Sequence, residues 1–322
     1  MKISKALAAI TIAFWGTSGQ AKEFRSSDIY PLGSPTVQAV AYMDKLVRER
    51  TGGRHSMGML GQDDSDTENL TVGEVRNGTL DMARVNLAVF NTSVPSTIIP
   101  SLPYLFKSKA HMRRVLDGPI GDRILTDLES QALVGLCFYD AGARSFYSVK
   151  KPIRRAADMN GMKVRVQQGD IAAIMIRTLG GTPMPMSYKK GYEALQVGLV
   201  DAAVNSMQLY STSLHFKVAK YYSLTEHSMA PGVLVFSRLV WDTLSKEDQT
   251  AIRAAAKESV PYMRKLWDAS EIPTRNLAEA GGAQIIGDVD RKSFADVLVP
   301  LHPILVTDPR LRDMIAAIAA AD

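Results

Sequence analysis

The chain has 322 residues, of which 46% are hydrophobic and 22% charged, and this length allows two domains or one large α/β unit. The composition excludes a disordered chain, a collagen and a coiled coil, and the single cysteine, Cys137, excludes a disulfide scaffold. Five scattered histidines disfavour a metal site, and a net charge of +5 from dispersed lysines and arginines suits small anions better than nucleic acid.

The first 21 residues have the pattern of a secretory signal peptide. Lys2 and Lys5 precede an apolar stretch at 6–15, which is too short to span a bilayer. Gly19 and Ala21 then supply the small residues of a cleavage site. We therefore predict cleavage near Ala21 and export to the periplasm, the alternative being an uncleaved membrane anchor.

The segments that follow alternate between strands and helices. A short extended segment at 23–26 precedes a helix that begins at Ser34-Pro35, because serine is a favoured N-cap and proline a favoured first helical residue. Apolar periodicity then predicts strands at 55–60, 81–85 and 133–139. It also predicts one helix that ends at 77 and two more that span 108–116 and 119–130. This βαβ order predicts a mostly parallel sheet.

The alternating pattern restarts after Gly142. Strands are expected at 145–149, 163–166, 201–205 and 231–237, and helices at 170–179 and 188–197. A long helix begins with a capping box at Ser245, and Pro261 and Pro273 are expected to kink or break it. We therefore predict two α/β lobes, joined near Gly142 and again near Pro231, with a small-molecule cleft between them.

The sequence contains none of the common motifs for catalysis or nucleotide binding. It has no GxSxG elbow, no HExxH, no Walker loop and no GxGxxG. The acidic run at 63–66 has Glu68 where an EF-hand loop needs its glycine, so we predict a solvated loop rather than a calcium site. We expect no metal and no cofactor. The absence of these motifs favours a binding protein over an enzyme.

Three arginines occupy strand positions from which a carboxylate could be bound. Alternation places Arg165 on the face opposite Val164 and Val166. Arg144 stands beside an apolar and aromatic stretch, and Arg84 lies in the predicted strand at 81–85. A planar guanidinium can grip a carboxylate through two parallel hydrogen bonds. The same residues could instead form inter-strand ion pairs or lie at a solvated edge, so the residues alone leave both interpretations open.

Several motifs in the same order resemble those of the extracytoplasmic solute receptors of TRAP (tripartite ATP-independent periplasmic) transporters. They are GTLDMARV at 78–85, LPYLF at 102–106, GARSFY at 142–147, DMNGMKVRVQ at 158–167, ALQVGLVD at 194–201 and KYYSLTEH at 220–227. The resemblance runs from about residue 24 to about residue 267. It implies a two-lobed α/β periplasmic binding protein of the venus-flytrap type, with a mostly parallel sheet in each lobe and a long kinked helix in the C-terminal half.

The pattern and the resemblance together predict the domain organisation and the partners. After the signal peptide at 1–21, the first lobe comprises 22–143, with about 234–270 returning to it. The second lobe comprises 144–233, with about 271–322 packing back on the lobes. The expected partners are a small organic acid and the membrane permease subunits of a TRAP transporter. We expect a monomer that has no enzymatic activity and binds no nucleic acid.

Carried over position by position, the resemblance implies a carboxylate site. The arginine of the family's GxKxRV segment, here Arg165, makes the main ion pair with the ligand carboxylate. The arginine of the GxR segment, here Arg144, adds a second positive contact, and Asn205 orients the acid. Three further residues contact other polar parts of the ligand. The implied ligand-binding residues are Arg165, Arg144, Asn205, Glu68, Arg84 and Asn86.

Four positions depart from the family pattern on the side expected to recognise the rest of the ligand. They are Tyr30 in place of a histidine, Lys190 and Val204 in place of glutamates, and Met207 in place of an aromatic residue. We therefore expect altered discrimination among hydroxylated acids, while the carboxylate-binding half is retained.

The sequence around Arg144 and Gln167 most resembles receptors for uronic and related sugar acids, so this class is the expected ligand. A four-carbon dicarboxylate or an oxo acid is the second candidate. A secreted enzyme acting on acidic sugars would need a general base near the arginines, for which Glu68 or Tyr147 could serve. A protein that binds no small acid is the remaining class.

Overall fold

Two β-sheets flanked by helices organise the chain in the computed structural model, which describes residues 22–62, 68–167 and 169–321. The predicted signal peptide at 1–21 and the predicted acidic loop at 63–66 lie outside the described residues. Within the described part of the chain, no helix is both long and apolar enough to cross a membrane.

The strands of the two sheets are short segments distributed along the chain. They are β1 (Lys22–Asp28), β2 (His55–Gln62), β3 (Met82–Asn86), β4 (Leu133–Tyr139), β5 (Arg144–Ser148), β6 (Lys163–Val166), β7 (Thr182–Pro185), β8 (Ala202–Ser206), β9 (Tyr221–Ser228), β10 (Gly232–Ser237) and β11 (Gln284–Ile286).

The helices between them are mostly one to four turns long. They are α1 (Pro35–Arg50), α2 (Glu68–Asn77), α3 (Lys109–Leu116), α4 (Pro119–Asp127), α5 (Asp170–Thr178), α6 (Tyr188–Gln196), α7 (Met207–Thr212), α8 (Arg238–Trp241), α9 (Lys246–Ala280), α10 (Arg291–Leu298), α11 (His302–Leu305) and α12 (Pro309–Ala320).

The strand order is β2-β1-β3-β10-β4 in the first sheet and β11-β9-β5-β8-β6-β7 in the second. In the first sheet β10 is antiparallel to both of its neighbours, and in the second sheet β5 is antiparallel to both of its neighbours. The other paired strands are parallel. The predicted mostly parallel sheets are confirmed, with one reversed strand in each.

Each reversed strand is the first strand that the chain forms after it crosses between the sheets. The chain leaves the first sheet after β4, enters the second at β5, leaves it after β9 and returns at β10. Because β5 and β10 are reversed, their first residues, Arg144 and Gly232, lie level with the last residues of the parallel strands. The strand ends and these two crossings therefore lie at one edge of each sheet.

The long helix α9 spans 35 residues and contacts the cores of both sheets. Met263 and Trp267 pack in the core beneath the first sheet, whereas Ala278 packs with the aromatic core beneath the second. The helix continues through Pro261 and Pro273, so neither proline breaks it. An interior proline costs about 3 kcal/mol, and the apolar face buried along α9 offsets that cost.

Candidate ligand-binding site

The sheet edges bring the predicted residues of the first sheet together. Asp28, the last residue of β1, is the register partner of Arg84 on β3. Gly232, the first residue of β10, stands opposite Asn86, the last residue of β3. Charged and amide side chains thus cluster where parallel strands end, which is the usual position of ligand sites in α/β proteins.

The first sheet holds a buried ion pair. Arg84 and Asp28 are each 1% exposed, and Arg84 Nη1 lies 4.0 Å from Asp28 Oδ1. The carboxylate also accepts hydrogen bonds from the Tyr30 amide at 3.0 Å and from the Thr36 hydroxyl at 2.6 Å. Burial raises the pKa of Asp28 to about 6, against the lowering effects of Arg84, Thr36 and Tyr30.

Two nitrogens of the Arg84 guanidinium lack a hydrogen bond to the described residues. Its Nε and Nη2 are buried and have no hydrogen-bond partner among the described residues. Its guanidinium carbon lies 5.0 Å from the centre of the Tyr30 ring. A Cβ atom on Gly232 would lie 2.2 Å from Arg84 Nε, so only glycine lets β10 run this close to the guanidinium. Burial disfavours the charge of Arg84, but Asp28, Tyr30 and Glu68 outweigh burial and raise its pKa.

The second sheet holds Arg165 in a different way. Arg165 is 3% exposed, and its Nε and Nη2 donate to the main-chain oxygen of Met186 at 3.2 and 2.8 Å. Its guanidinium carbon lies 5.3 Å from the centre of the Tyr188 ring. A Cβ on Gly191 would come within 3.2 Å of the arginine side chain, so α6 can pack closely against it. Burial lowers the pKa of Arg165.

Arg144 and Asn205 lie on the strands beside Arg165. Arg144 begins β5 and pairs with Ser206, while Asn205 on β8 pairs with Ser145. Arg165 on β6 is the register partner of Ala203 on β8, so β8, which carries Asn205, lies between the strands of the two arginines. Burial lowers the pKa of Arg144 as well, and no carboxylate of the described residues forms an ion pair with Arg144 or Arg165. The second sheet therefore presents two arginines without counter-ions.

Glu68 links the two groups. Its Oε1 accepts from the Asn86 amide at 2.7 Å, and its Oε2 accepts from Gln167 Nε2 at 2.8 Å. Glu68 also raises the pKa of Arg84, Arg144 and Arg165, so all three guanidinium groups lie within its electrostatic reach.

The arginines repel one another within this space. Arg84 lowers the pKa of Arg144, and Arg144 lowers the pKa of Arg165. The structure thus brings the predicted residues to one place between the sheets. A bound anion would relieve both the repulsion and the cost of burying these cations.

Two buried histidines stand beside the arginines of the second sheet in the neutral form. His215 Nδ1 lies 2.9 Å from the hydroxyl of Tyr147, and His227 Nδ1 lies 2.9 Å from the hydroxyl of Thr225. Burial lowers the pKa of each histidine to about 3, with a smaller contribution from Arg165 at His215 and from Arg144 at His227. Burial also raises the pKa of Tyr147 to about 12, so this phenol stays protonated at neutral pH. The two histidines are too weakly basic, and Tyr147 too weakly acidic, to act as a general base there.

The departures from the family pattern fall in different places. Tyr30 lies against Arg84, inside the predicted site. Val204 packs with Phe146 and Val164 in the core on the opposite face of β8 from Asn205. It also lines a mainly apolar cavity of about 70 Å³ that reaches Arg144. The side chain of Val204 therefore faces away from the side on which Arg165 and Asn205 lie.

Three residues of the site were not predicted. Asp28 lies two residues beyond the extended segment predicted at 23–26, and its partner depends on which strand lies beside it. Gln167 is the next residue after Arg165 on the same face of the alternating pattern, yet nothing in the local sequence shows that it contacts Glu68. Gly232 carries no side chain, so only its distance to Arg84 reveals its role.

The fold and the site define a two-sheet binding protein whose cleft is lined by buried cations. The family model for bacterial extracellular solute-binding protein, family 7, matches residues 26–306, and the chain belongs to this family. The resemblance to solute receptors of TRAP transporters is confirmed. A solute-binding protein of Chromohalobacter salexigens is 33% identical over 312 residues, which cover 95% of this chain and 91% of that protein.

Solved structures agree with this family. A TRAP periplasmic solute-binding protein from Xanthobacter autotrophicus, with bound β-D-galacturonate, is 45% identical with a TM-score of 0.89, covering 93% of this chain and 100% of that one. A second, from Bradyrhizobium sp. in complex with α/β-D-galacturonate, is 46% identical with a TM-score of 0.90, covering 92% and 99%. The predicted two-lobed fold is therefore confirmed.

Proposed function

We propose that this protein captures a uronic or related sugar acid between its two sheets and delivers it to the permease subunits of a TRAP transporter. The observation that carries the proposal is the pair of arginines on the second sheet, Arg144 and Arg165, which have no carboxylate partner among the described residues. Galacturonate in the two solved relatives supports this ligand class.

Each residue has a distinct part in the proposal. Arg165 binds the carboxylate, Arg144 adds a second positive contact and Asn205 orients the acid through its amide. Glu68 and Arg84 bind hydroxyl groups of the sugar ring, Glu68 as an acceptor and Arg84 through the two donors that have no partner among the described residues. Closure of the two sheets over the acid excludes water, which strengthens each ion pair.

The same elements support the bounds of the two lobes as a proposal. The first lobe comprises 22–143 with about 234–270, and the second comprises 144–233, with about 271–322 packing back on the lobes. The crossings between β4 and β5 and between β9 and β10 would then be hinges. A spin label at Lys45, on α1, and another at Val197, after α6, would measure their relative movement on binding.

Calorimetric titration of the protein beginning at Lys22 tests the function. We expect D-galacturonate or D-glucuronate to bind, succinate to bind more weakly, and D-galactose, which has the ring without the acid, to give no heat. Tight binding of succinate alone would favour the dicarboxylate alternative. Mass spectrometry of the acid after incubation separates a receptor, which returns it unchanged, from an enzyme.

The site of processing is part of the proposal. Because the apolar stretch at 6–15 is short and small residues follow it, the exported form should begin near Lys22. The intact mass of protein recovered from the periplasm measures this directly. A mass that still includes residues 1–21 would show an uncleaved anchor instead.

A further inference from the structure

Gln167 contacts both halves of the site with the two ends of one amide. Its Nε2 donates to Glu68 Oε2 at 2.8 Å, and its Oε1 accepts from Arg144 Nη2 at 3.3 Å. Glu68 is fixed in turn by the main-chain amide of Asn86 at 2.7 Å. The four residues form a continuous chain of hydrogen bonds across the cleft.

The two ends of this chain belong to different sheets. Glu68 is the first residue of α2, which packs against β3 and β10 of the first sheet. Gln167 directly follows β6, and Arg144 begins β5, both in the second sheet. The bond between Glu68 and Gln167 can therefore form only when the sheets are close together, and opening of the cleft must break it.

We propose that Gln167 is a positioning residue that latches the closed cleft and orients Arg144 toward the ligand carboxylate. The part of this inference that concerns the ligand rests on the proposed function. Nothing in the sequence motifs assigns the residue this role.

A neutral amide suits this position for an electrostatic reason. The hydrogen bond to Glu68 is assisted by the carboxylate charge, which makes it stronger than a bond between neutral groups. At the other end, the amide oxygen holds Arg144 without cancelling its positive charge. A glutamate at 167 would repel Glu68 and would pair with Arg144 in place of the ligand.

Pulsed electron–electron double resonance on the ligand-free protein tests the latch independently of the ligand. Spin labels are placed at Lys45→Cys and Val197→Cys, whose native side chains are 69% and 77% exposed. The native Cys137 is buried and can stay unlabelled. The parent should populate a closed distance, and Gln167→Ala should lower the closed-to-open ratio about 10- to 100-fold.

Three further variants isolate the bond between the two residues. Glu68→Gln should lower the ratio less than Glu68→Ala, because the glutamine can still accept from Gln167. Glu68→Ala combined with Gln167→Ala should lower it no further than the stronger single variant, because the two changes remove one shared interaction. Gln38→Ala is the matched control. Gln38 Nε2 donates to the main-chain oxygen of Gly33, and both residues lie between β1 and β2, so this hydrogen bond does not cross the cleft.

Stopped-flow release of D-galacturonate adds the ligand readout. Gln167→Ala should raise the dissociation rate about 10- to 100-fold and leave the association rate within about threefold. The latch is overturned if the ligand-free parent is wholly open, if Gln167→Ala leaves the ratio unchanged, or if the losses of the two alanine variants multiply. A parent that closes but binds no uronate would refute the proposed function and leave the latch standing.

Discussion

The two sheets hold their arginines in different ways. Arg84 on the first sheet lies 4.0 Å from Asp28, so the protein supplies its counter-ion. Arg165 on the second sheet has the main-chain oxygen of Met186 and the ring of Tyr188 as its partners. Because a buried cation without a counter-ion is costly, an anionic ligand gains most at the second sheet. The first sheet is better suited to recognising the uncharged part of the ligand.

The buried titratable groups of the two sheets also differ. Asp28 beside Arg84 has a pKa raised to about 6, whereas His215 and His227, beside Arg165 and Arg144, have theirs lowered to about 3. Burial is the largest cause in all three cases, but it favours the protonated form of an acid and the deprotonated form of a histidine. Mild acid therefore acts on the two sheets in opposite directions.

Removal of Arg165 should have the largest effect. Arg165→Ala should weaken uronate binding by about 2–5 kcal/mol, or about 30-fold to several thousandfold, because it leaves the ligand carboxylate without its partner. Arg165→Lys should recover only part of the loss, since an ammonium lacks the planar fork. Calorimetric titration measures both variants, and circular dichroism confirms that they fold.

The control for this pair is Arg275→Ala. Arg275 is half-exposed and pairs with Glu279 one turn further along α9, so its loss should not change affinity. A folded Arg165→Ala protein that binds its acid within threefold of the parent would remove Arg165 from the site.

Removal of Arg84 should instead reduce stability. Arg84→Met leaves the buried Asp28 carboxylate without its counter-ion and should cost about 3 kcal/mol of unfolding free energy. Adding Asp28→Asn should recover part of this cost, because neither position of the former ion pair then carries a charge. Urea denaturation at pH 7 measures the three proteins.

The contrast with the second sheet is tested by Arg165→Met. This variant leaves behind a neutral main-chain oxygen, so it should cost about 1 kcal/mol, clearly less than Arg84→Met. Equal losses of stability in the two methionine variants would refute the difference in charge compensation.

The pH dependence of stability should differ in sign between the sheets. Because folding raises the pKa of Asp28 from 3.8 to about 6, its contribution is most favourable below about pH 4 and falls by about 3 kcal/mol as the pH rises through 6. Asp28→Asn should therefore gain stability relative to the parent between pH 4 and 6.5. Urea denaturation across this range gives the difference curve.

His227→Asn should give the opposite difference curve. Folding lowers the pKa of His227 to about 3, so its contribution is complete above about pH 6.5 and is lost as the pH falls toward 3. Relative to the parent, the variant should lose less stability on acidification. Two difference curves of the same sign would contradict the assignment of these groups.

Substitution of Val204 should have the smallest effect on recognition. Because Val204 packs with Phe146 on the face of β8 opposite Asn205, Val204→Thr should leave the preference among uronates within about threefold of the parent. Burying its hydroxyl should cost about 1 kcal/mol of stability. Competition titration measures the preference, and Asn205→Ala is the comparison variant on the other face. A changed preference in Val204→Thr alone would show that position 204 does influence the ligand.

Local sequence signals were sufficient for most elements. The proline at 35, the alternation around Arg165 and the apolar run at 133–139 each favour their segment through local conformational preferences. The family motifs added the six candidate residues, which the structure brings to one place. β7 was missed because Pro183 and Pro185 disfavour a strand, and it is tolerated only because β7 is an edge strand of its sheet.

Contacts between distant segments were decided by the tertiary structure alone. The pairing of Asp28 with Arg84 requires β1 to lie beside β3, with β2 on its outer side, and no local pattern specifies that order. The bond between Glu68 and Gln167 joins residues that are 99 positions apart, on different sheets. Side-chain periodicity predicts which face a residue occupies, but the partner on that face depends on how the sheets pack and close. The sequence thus determined which side chains could bind an acid, and the packing of the two sheets decided which of their charges are already compensated.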